Sequence, residues 1–453
     1  MDSKVGRPLA PHEIAEGLQE ARTRTLLLTA SLSDADLRAQ HDPLMSPIVW
    51  DLGHIAHFEE VWLLEQLDGE GGSEGLRGMY DPFRNPRAVR DGLPLPDARG
   101  ARAYLAAIRR EVLASLDRPP PGEPGPLLRD SFVYRMVLQH EYQHNETILQ
   151  TLQLKGGEPY PAPRSVAIPP ARPDRYAPGD MVWVPGGRGV IGTDDRSEAY
   201  DNERPAHEIE LAPFWIDAAP VTSGEYLEFM TDGGYQRDEL WDASGLAWIR
   251  EQGIDAPRHW SRTGDGGWTE RFFDLERPVA SDRPVCHVCY WEADAFARWA
   301  GKRLPTEFEW EAAASWDPSG GPRRRRFPWG DEPATPDRAN VDAVTFDTAP
   351  VGAYPANVSP AGCYGMIGDV WEWTSTDFHG YPGYRTFPYP EYSEAFFGTE
   401  YKVLRGGSFA TRSGAIRTTF RNWDYPIRRQ IFAGFRCARD LNADEHGRRG
   451  DGA

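Results

Sequence analysis

The chain has 453 residues, with 45 Gly, 40 Pro, 16 Trp, 18 Tyr and 19 Phe, and a formal charge of −19. Its length suggests two or three domains, and its charge disfavours nucleic acid phosphates and anionic lipid surfaces as partners. No run of about 18 apolar residues exists to cross a membrane and no apolar signal region opens the chain, so a soluble, cytoplasmic protein is expected.

From residue 8 to 155 the sequence reads as helices. The segments "APHEIAEGLQEARTRTLLLTAS", "SPIVWDLGHIAHFEEVWLLEQL", "PDARGARAYLAAIRREVLASL" and "RDSFVYRMVLQHEYQHNETILQTLQL" carry apolar residues at spacings of three and four, which predicts a four-helix bundle. Ser46-Pro47 reads as an N-cap followed by proline at the first helical position. Residues 156–178 are dense in proline without periodicity and read as a linker. Residues 179–440 change to short strand-like pieces, Gly and Pro turns and clustered Trp, with one clear helix at "YWEADAFARWAGK"; this predicts an irregular α+β domain. Residues 441–453 read as a polar tail.

"HEYQH" places His140 and His144 on one helical face, where they interrupt the apolar stripe Val133, Val137 and Ile148. Two inward imidazoles at this spacing can reach one ion. The literal H-E-x-x-H admits a zinc peptidase with Glu141 as general base. The longer metzincin pattern fails, because Thr147 and Gln150 stand where Gly and His belong.

A third ligand is sought in "WDLGHIAHFEEVW", which offers His54 and His57; His54 shares a face with Trp50, Phe58 and Val61, yet spacing does not choose between them. Three neutral imidazoles would leave up to three positions of an octahedral iron open to substrates and O₂. Glu146 lies well round the helix from both histidines, whereas Gln143 flanks the metal face, as a hydrogen-bonding neighbour of a metal-bound water or as an ordinary surface residue.

In the C-terminal half, "FWIDAAPVTSGEYLEFM", "RPVCHVCYWEADAFARWAGKRLPTEFEWEAAA", "FPWGDE", "GCYGMIGDVWEWTST", "VLRGGSFAT" and "AGFRCARD" follow in order. This series resembles the formylglycine-generating-enzyme and sulfatase-modifying-factor family, whose fold is C-type-lectin-like. "RGGS" would supply glycines for close backbone approach. Formylglycine formation is not implied, because the region that carries that family's thiol pair holds only Cys437. Cys286-His287-Val288-Cys289 looks like a redox or zinc motif but falls where the family has a strand, so buried thiols on one strand are expected; four free cysteines suit a reducing compartment.

The N-terminal half resembles the DinB-like four-helix bundle, where three His from two helices bind a metal. The two parts together, with "SPIVWDLGHIAHFEE", "HEYQHNE" and "FRNWDYPIRRQIFAGFR", resemble the ergothioneine-biosynthetic sulfoxide synthases. The resemblance implies a DinB-like bundle followed by a C-type-lectin-like α+β domain. It implies Fe(II) held by His54, His140 and His144, and O₂ as co-substrate. The reaction it implies joins hercynine, N-α-trimethylhistidine, at imidazole C2 to a thiol that ends as a sulfoxide.

The same resemblance places Gln143 beside the coordinated substrate and makes Glu141 incidental, so that Glu141→Gln is expected to matter little. Tyr381 and Tyr384 match the paired active-site tyrosines, with Tyr381 taken as proton donor. Asn422 and Trp423 would contact the trimethylammonium group. Asp424 and Arg428 would clamp the thiol substrate's ammonium and carboxylate, with Arg87 and Arg90 for a second carboxylate. Two carboxylates point to γ-glutamylcysteine as thiol, with cysteine as the alternative, and a monomer is expected. A lectin-like binding protein with a structural metal is the competing class.

Overall fold

The computed structural model describes residues 7–68, 74–117, 125–170, 177–317 and 325–441. The predicted polar tail lies outside them beyond Leu441. The chain divides into two compact units: Met1–Pro161 with Asp195–Ala199, and Ala162–Asp194 with Tyr200–Ala453. The short segment Asp195–Ala199 joins the helical unit through Glu198, whose backbone carbonyl accepts from Gln139 Nε2 at 3.0 Å and whose carboxylate pairs with Arg135 at 2.7 Å.

The first unit contains four long helices, α1 (Pro11–Leu28), α2 (Ile48–Glu60), α3 (Ala98–Ser115) and α4 (Phe132–Leu154); α2 runs on into a π-helical turn, Val61–Glu65. The expected cap of α2 is displaced by one residue. The helix begins at Ile48, the Pro47 carbonyl accepts the first backbone bond from Trp50, and the buried Ser46 hydroxyl instead accepts from Arg90 Nη1 at 2.5 Å.

Each long helix contributes one residue to a buried ionic quartet. Arg22 of α1 reaches Glu59 of α2 at 2.6 Å and Glu141 of α4 at 2.9 Å, while Arg109 of α3 reaches the same two carboxylates at 2.6 and 3.0 Å. Thr25 adds a hydroxyl donor to Glu141 at 2.7 Å. Burial alone would raise the Glu141 pKa, but the two guanidiniums hold it below the usual carboxylate value. Such a network fixes the register of four otherwise apolar faces, and removing one member strands its partners as buried charges.

The second unit is irregular α+β. Its largest sheet runs β10 (Asn422–Asp424), β9 (Gly398–Arg405), β8 (Trp371–Phe378) and β11 (Ala433–Gly434), antiparallel except for the β11–β8 pair. A second sheet orders β1 (Met181–Val184), β4 (Phe214–Asp217) and β12 (Ala438–Asp440). A hairpin pairs β2 (Gly187–Ile191) with β3 (His207–Leu211), and a meander joins β5 (Trp260–Arg262), β6 (Trp268–Phe272) and β7 (Leu275–Pro278).

The anticipated helix is α7 (Tyr290–Trp299), but three others accompany it: α5 (Ser223–Thr231), α6 (Ala243–Gln252) and α8 (Glu307–Ser315). They are short, and α8 is buried along almost its whole length, so no two-faced apolar stripe marks it in the sequence. The starts of α5 and α8 were nevertheless written in capping boxes, Thr222 with Glu225 and Thr306 with Glu309.

Aromatic packing of Tyr226, Phe229, Phe296, Trp373 and Phe435 fills the main core. Gly406, at φ 91°, illustrates the "RGGS" requirement: a Cβ there would lie 2.9 Å from the Met366 carbonyl oxygen.

Cys286 and Cys289 are free and buried, but they do not share a strand. His287 between them takes a left-handed conformation at φ 64°, held by its Nδ1–H bond to the Arg429 carbonyl at 3.1 Å, so the segment bends after its isolated bridge at Pro284. Burial pushes both thiols well above their usual value, which keeps them protonated. Among the described residues no helix is long and apolar enough to cross a membrane.

Candidate functional site

His54 on α2 and His140 and His144 on α4 form the metal-ligating cluster found among the described residues, with one ring nitrogen from each lying within 4.8 Å of the others. His140 Nε2 and His54 Nε2 face each other at 3.2 Å. His57 is turned away. It lies 3.6 Å from Glu60, and its ring takes no part in the cluster.

The surroundings prepare these rings as ligands. His54 Nδ1 donates to the Tyr80 carbonyl at 2.8 Å, which fixes its tautomer and leaves Nε2 as a lone pair. Gly53 makes that bond possible, since a Cβ on it would lie 2.2 Å from the Tyr80 ring. His144 Nδ1 donates to Asp51 at 3.0 Å, three residues before His54 on the same helix. His140 stacks on Phe58 at 3.7 Å, and His54 on Trp50 at 4.7 Å.

Burial first, and the nearby His144 second, hold the His54 pKa well below the usual imidazole value; burial and the neighbouring histidines do the same for His140. Oriented imidazoles converging on one point suit a first-row transition metal.

Glu141 is not available to this cluster, because both its oxygens are engaged in the ionic quartet. A zincin needs that carboxylate at the metal-bound water, so the peptidase geometry does not form. Gln143 is exposed on α4. Arg90 is buried: Nη1 donates to Ser46, Nε donates to the Asn85 carbonyl at 2.9 Å, and its guanidinium lies 3.5 Å over the Trp50 ring that stacks on His54. Arg87 is half-buried and donates to the Leu44 carbonyl at 3.2 Å.

In the second unit, Asn422, Trp423 and Asp424 form β10, paired with Leu404, Val403 and Lys402 of β9. Trp423 stacks on Phe378 at 4.2 Å, and Asp424 accepts from Arg428 Nε at 3.0 Å. The Asn422 side-chain oxygen accepts from the Trp423 backbone N–H.

The two tyrosines differ. Tyr381 is buried, its hydroxyl donates to Glu307 at 3.3 Å, and the Arg421 guanidinium lies 4.1 Å over its ring. Tyr384 is part-exposed and donates to Asp201 at 2.7 Å. Sequence reasoning missed Asp51, Tyr80, Asp201 and Glu307. Asp51 alone carried a local signal, its i,i+3 spacing to His54.

Residues 167–441 match the model of the sulfatase-modifying factor enzyme 1-like domain, and residues 18–148 match that of the DinB superfamily. A hercynine oxygenase of Mycolicibacterium thermoresistibile is 46% identical over 445 residues, covering 95% of this chain and 96% of that one. A hercynine oxygenase of Mycobacterium tuberculosis is 47% identical over 439 residues, covering 95% of this chain and all of the other. A formylglycine-generating enzyme of Streptomyces coelicolor is 34% identical, covering 62% of this chain and 96% of its own.

Proposed function

Because the chain belongs to the hercynine oxygenase family and is an oxygenase, we propose that it joins hercynine at imidazole C2 to the sulfur of γ-glutamylcysteine, using Fe(II) and O₂. The balance is closed. The C2–H and S–H bonds are replaced by a C–S bond, one oxygen of O₂ becomes the sulfoxide oxygen, and the other leaves as water with the two hydrogens.

The observation that carries this reading is the convergence of His54, His140 and His144, three ligand-ready imidazoles from two helices. A ferrous ion held there would activate O₂ and gather the reacting groups. His54 is aimed by Tyr80, and His144 by Asp51. Gln143 would hydrogen-bond beside the bound imidazole.

Trp423, backed by Phe378, would offer a π face and Asn422 a dipole to the trimethylammonium group, a cation that cannot donate a hydrogen bond. Asp424 and Arg428, already opposed at 3.0 Å, would take the ammonium and one carboxylate of the thiol substrate. Arg87 and Arg90 would take the second carboxylate, Arg90 from a guanidinium braced by Ser46, Asn85 and Trp50.

Tyr381 would supply the proton, with Tyr384 as its pair. The Tyr381 hydroxyl is enclosed with Glu307 and Arg421, whereas Tyr384 is part-exposed. A proton donor must come within hydrogen-bond reach of its acceptor, and a phenol that stays protonated at neutral pH suits the task.

Oxygen uptake by Fe(II)-loaded protein tests the reading. Fast uptake that needs hercynine and γ-glutamylcysteine together is expected. Uptake with neither, or equally with either alone, would contradict it.

A further inference from the structure

We propose that the Arg90 cation, acting on the histidine cluster by way of the Trp50 ring, holds iron bound there in its ferrous state; this rests on the reading of His54, His140 and His144 as iron ligands. Arg90 is buried, as are Arg22, Arg109, Arg417 and Arg421. Those four pair with carboxylates, those of Glu59, Glu141, Glu203 and Glu307 respectively. Arg90 does not. Its hydrogen bonds go to the Ser46 hydroxyl and the Asn85 carbonyl, both neutral, and its third contact is the face of Trp50, 3.5 Å from the guanidinium carbon. Asp51 attracts it through space but is bonded to His144.

A buried cation without a bonded counter-ion is costly, which points to a use for the charge. Burial draws the Arg90 pKa down to about 10, and the guanidinium is still charged at neutral pH.

The route to the cluster is rigid. Trp50 and His54 lie one turn apart on α2, and their rings stack at 4.7 Å with an interplanar angle of 11°. Trp50 Nε1 donates to the Met79 carbonyl at 3.2 Å, and His54 Nδ1 donates to the next carbonyl, that of Tyr80, at 2.8 Å. Asn85, whose carbonyl accepts from Arg90, donates its side-chain amide to the Gly78 carbonyl at 2.7 Å. One segment, 78–90, thus fixes the ligand ring, the ring stacked on it and the cation. Trp50 is buried, so little water screens the charge.

Oxidation of Fe(II) adds a unit of positive charge to the site, so a neighbouring cation disfavours Fe(III). In uncoupled oxidation one electron passes from Fe(II) to O₂ and leaves Fe(III) and superoxide, and the Arg90 charge opposes that loss. A unit charge at about 10 Å, in an effective dielectric of about 20, shifts such an equilibrium roughly tenfold.

The test uses the full chain loaded with Fe(II) and no substrate, so it does not depend on whether Arg90 also meets a substrate carboxylate. Arg90→Met should raise the ratio of Fe(III) to Fe(II) at a fixed potential about tenfold, a fall in midpoint of about 59 mV, read by anaerobic redox titration. It should also bind Zn²⁺ at least as tightly as the wild type in competition with a chelator, because a repelling charge has gone. Arg90→Lys loses the planar fork but keeps the charge, and should restore most of the midpoint.

A wild-type midpoint in Arg90→Met would overturn the proposal. Equal falls in Arg90→Met and Arg90→Lys, or weaker Zn²⁺ binding in Arg90→Met, would overturn it too, since either would make Arg90 a brace for Trp50 and not a charge. If Arg90→Met does not fold, Arg90→Gln takes its place; failure of both to fold would also identify a brace. Wild-type protein that takes up no iron would instead overturn the reading of the three histidines.

Discussion

The Asp51 carboxylate accepts a hydrogen bond from His144 Nδ1 at 3.0 Å, while its second oxygen is buried without a hydrogen-bonding partner among the described residues. A buried carboxylate so placed fixes the tautomer and orientation of the ring that faces the other two histidines. Asp51→Asn should therefore lower metal affinity by about 10- to 100-fold, measured by competition against a chelator. Unchanged affinity would mean that Asp51 serves only the fold.

The two candidate third ligands separate cleanly by substitution. His54→Ala should abolish stoichiometric metal binding, and His57→Ala should retain it, because only His54 turns a free Nε2 towards His140 and His144. Metal analysis of the two purified variants checks this, and equal loss in both would contradict the assignment.

Glu141→Gln should be destabilising rather than silent. It leaves Arg22 and Arg109 facing a neutral amide in the interior, at a cost of about 3–5 kcal/mol, which lowers the thermal midpoint. In the protein that remains folded, the metal site should still load, because Glu141 is committed away from it. A variant with wild-type melting would show that the quartet contributes little.

A buried imidazole in the second unit sets a pH dependence. Burial depresses the His287 pKa to about 3 from 6.5, so the unfolded chain takes up a proton that the folded chain refuses. The associated stability is present above about pH 6.5 and is lost on acidification at about 1.4 kcal/mol per pH unit. Between pH 6.5 and 5, wild type should lose about 2 kcal/mol more than His287→Gln, measured by denaturant titration of both. Parallel pH profiles would contradict the buried, neutral state of His287.

The sequence made legible whatever depends on local spacing. The four long helices and the pairing of His140 with His144 follow from the 3.6-residue period, and family motifs covered the second unit. Long-range relationships were hidden. Glu141 adjoins His140 in sequence, but a step of roughly 100° round the helix sends it to Arg22 and Arg109. Gly53 reads as a weak point in a helix until Tyr80 is seen against it. Asp201 and Tyr384 are 183 positions apart, so neither could nominate the other. The Cys286–Cys289 segment was read as a strand from its place in the family's motif series, while its bend is set by a hydrogen bond to Arg429.

The most direct measurement is mass spectrometry of the products formed when O₂ is admitted to anaerobic, Fe(II)-loaded protein with hercynine and γ-glutamylcysteine. The predicted result is a conjugate of the two substrates, lighter by two hydrogens and heavier by one oxygen, which carries the label when ¹⁸O₂ is used. Oxidised thiol with hercynine untouched, or a conjugate formed with cysteine in preference, would contradict the proposed reaction.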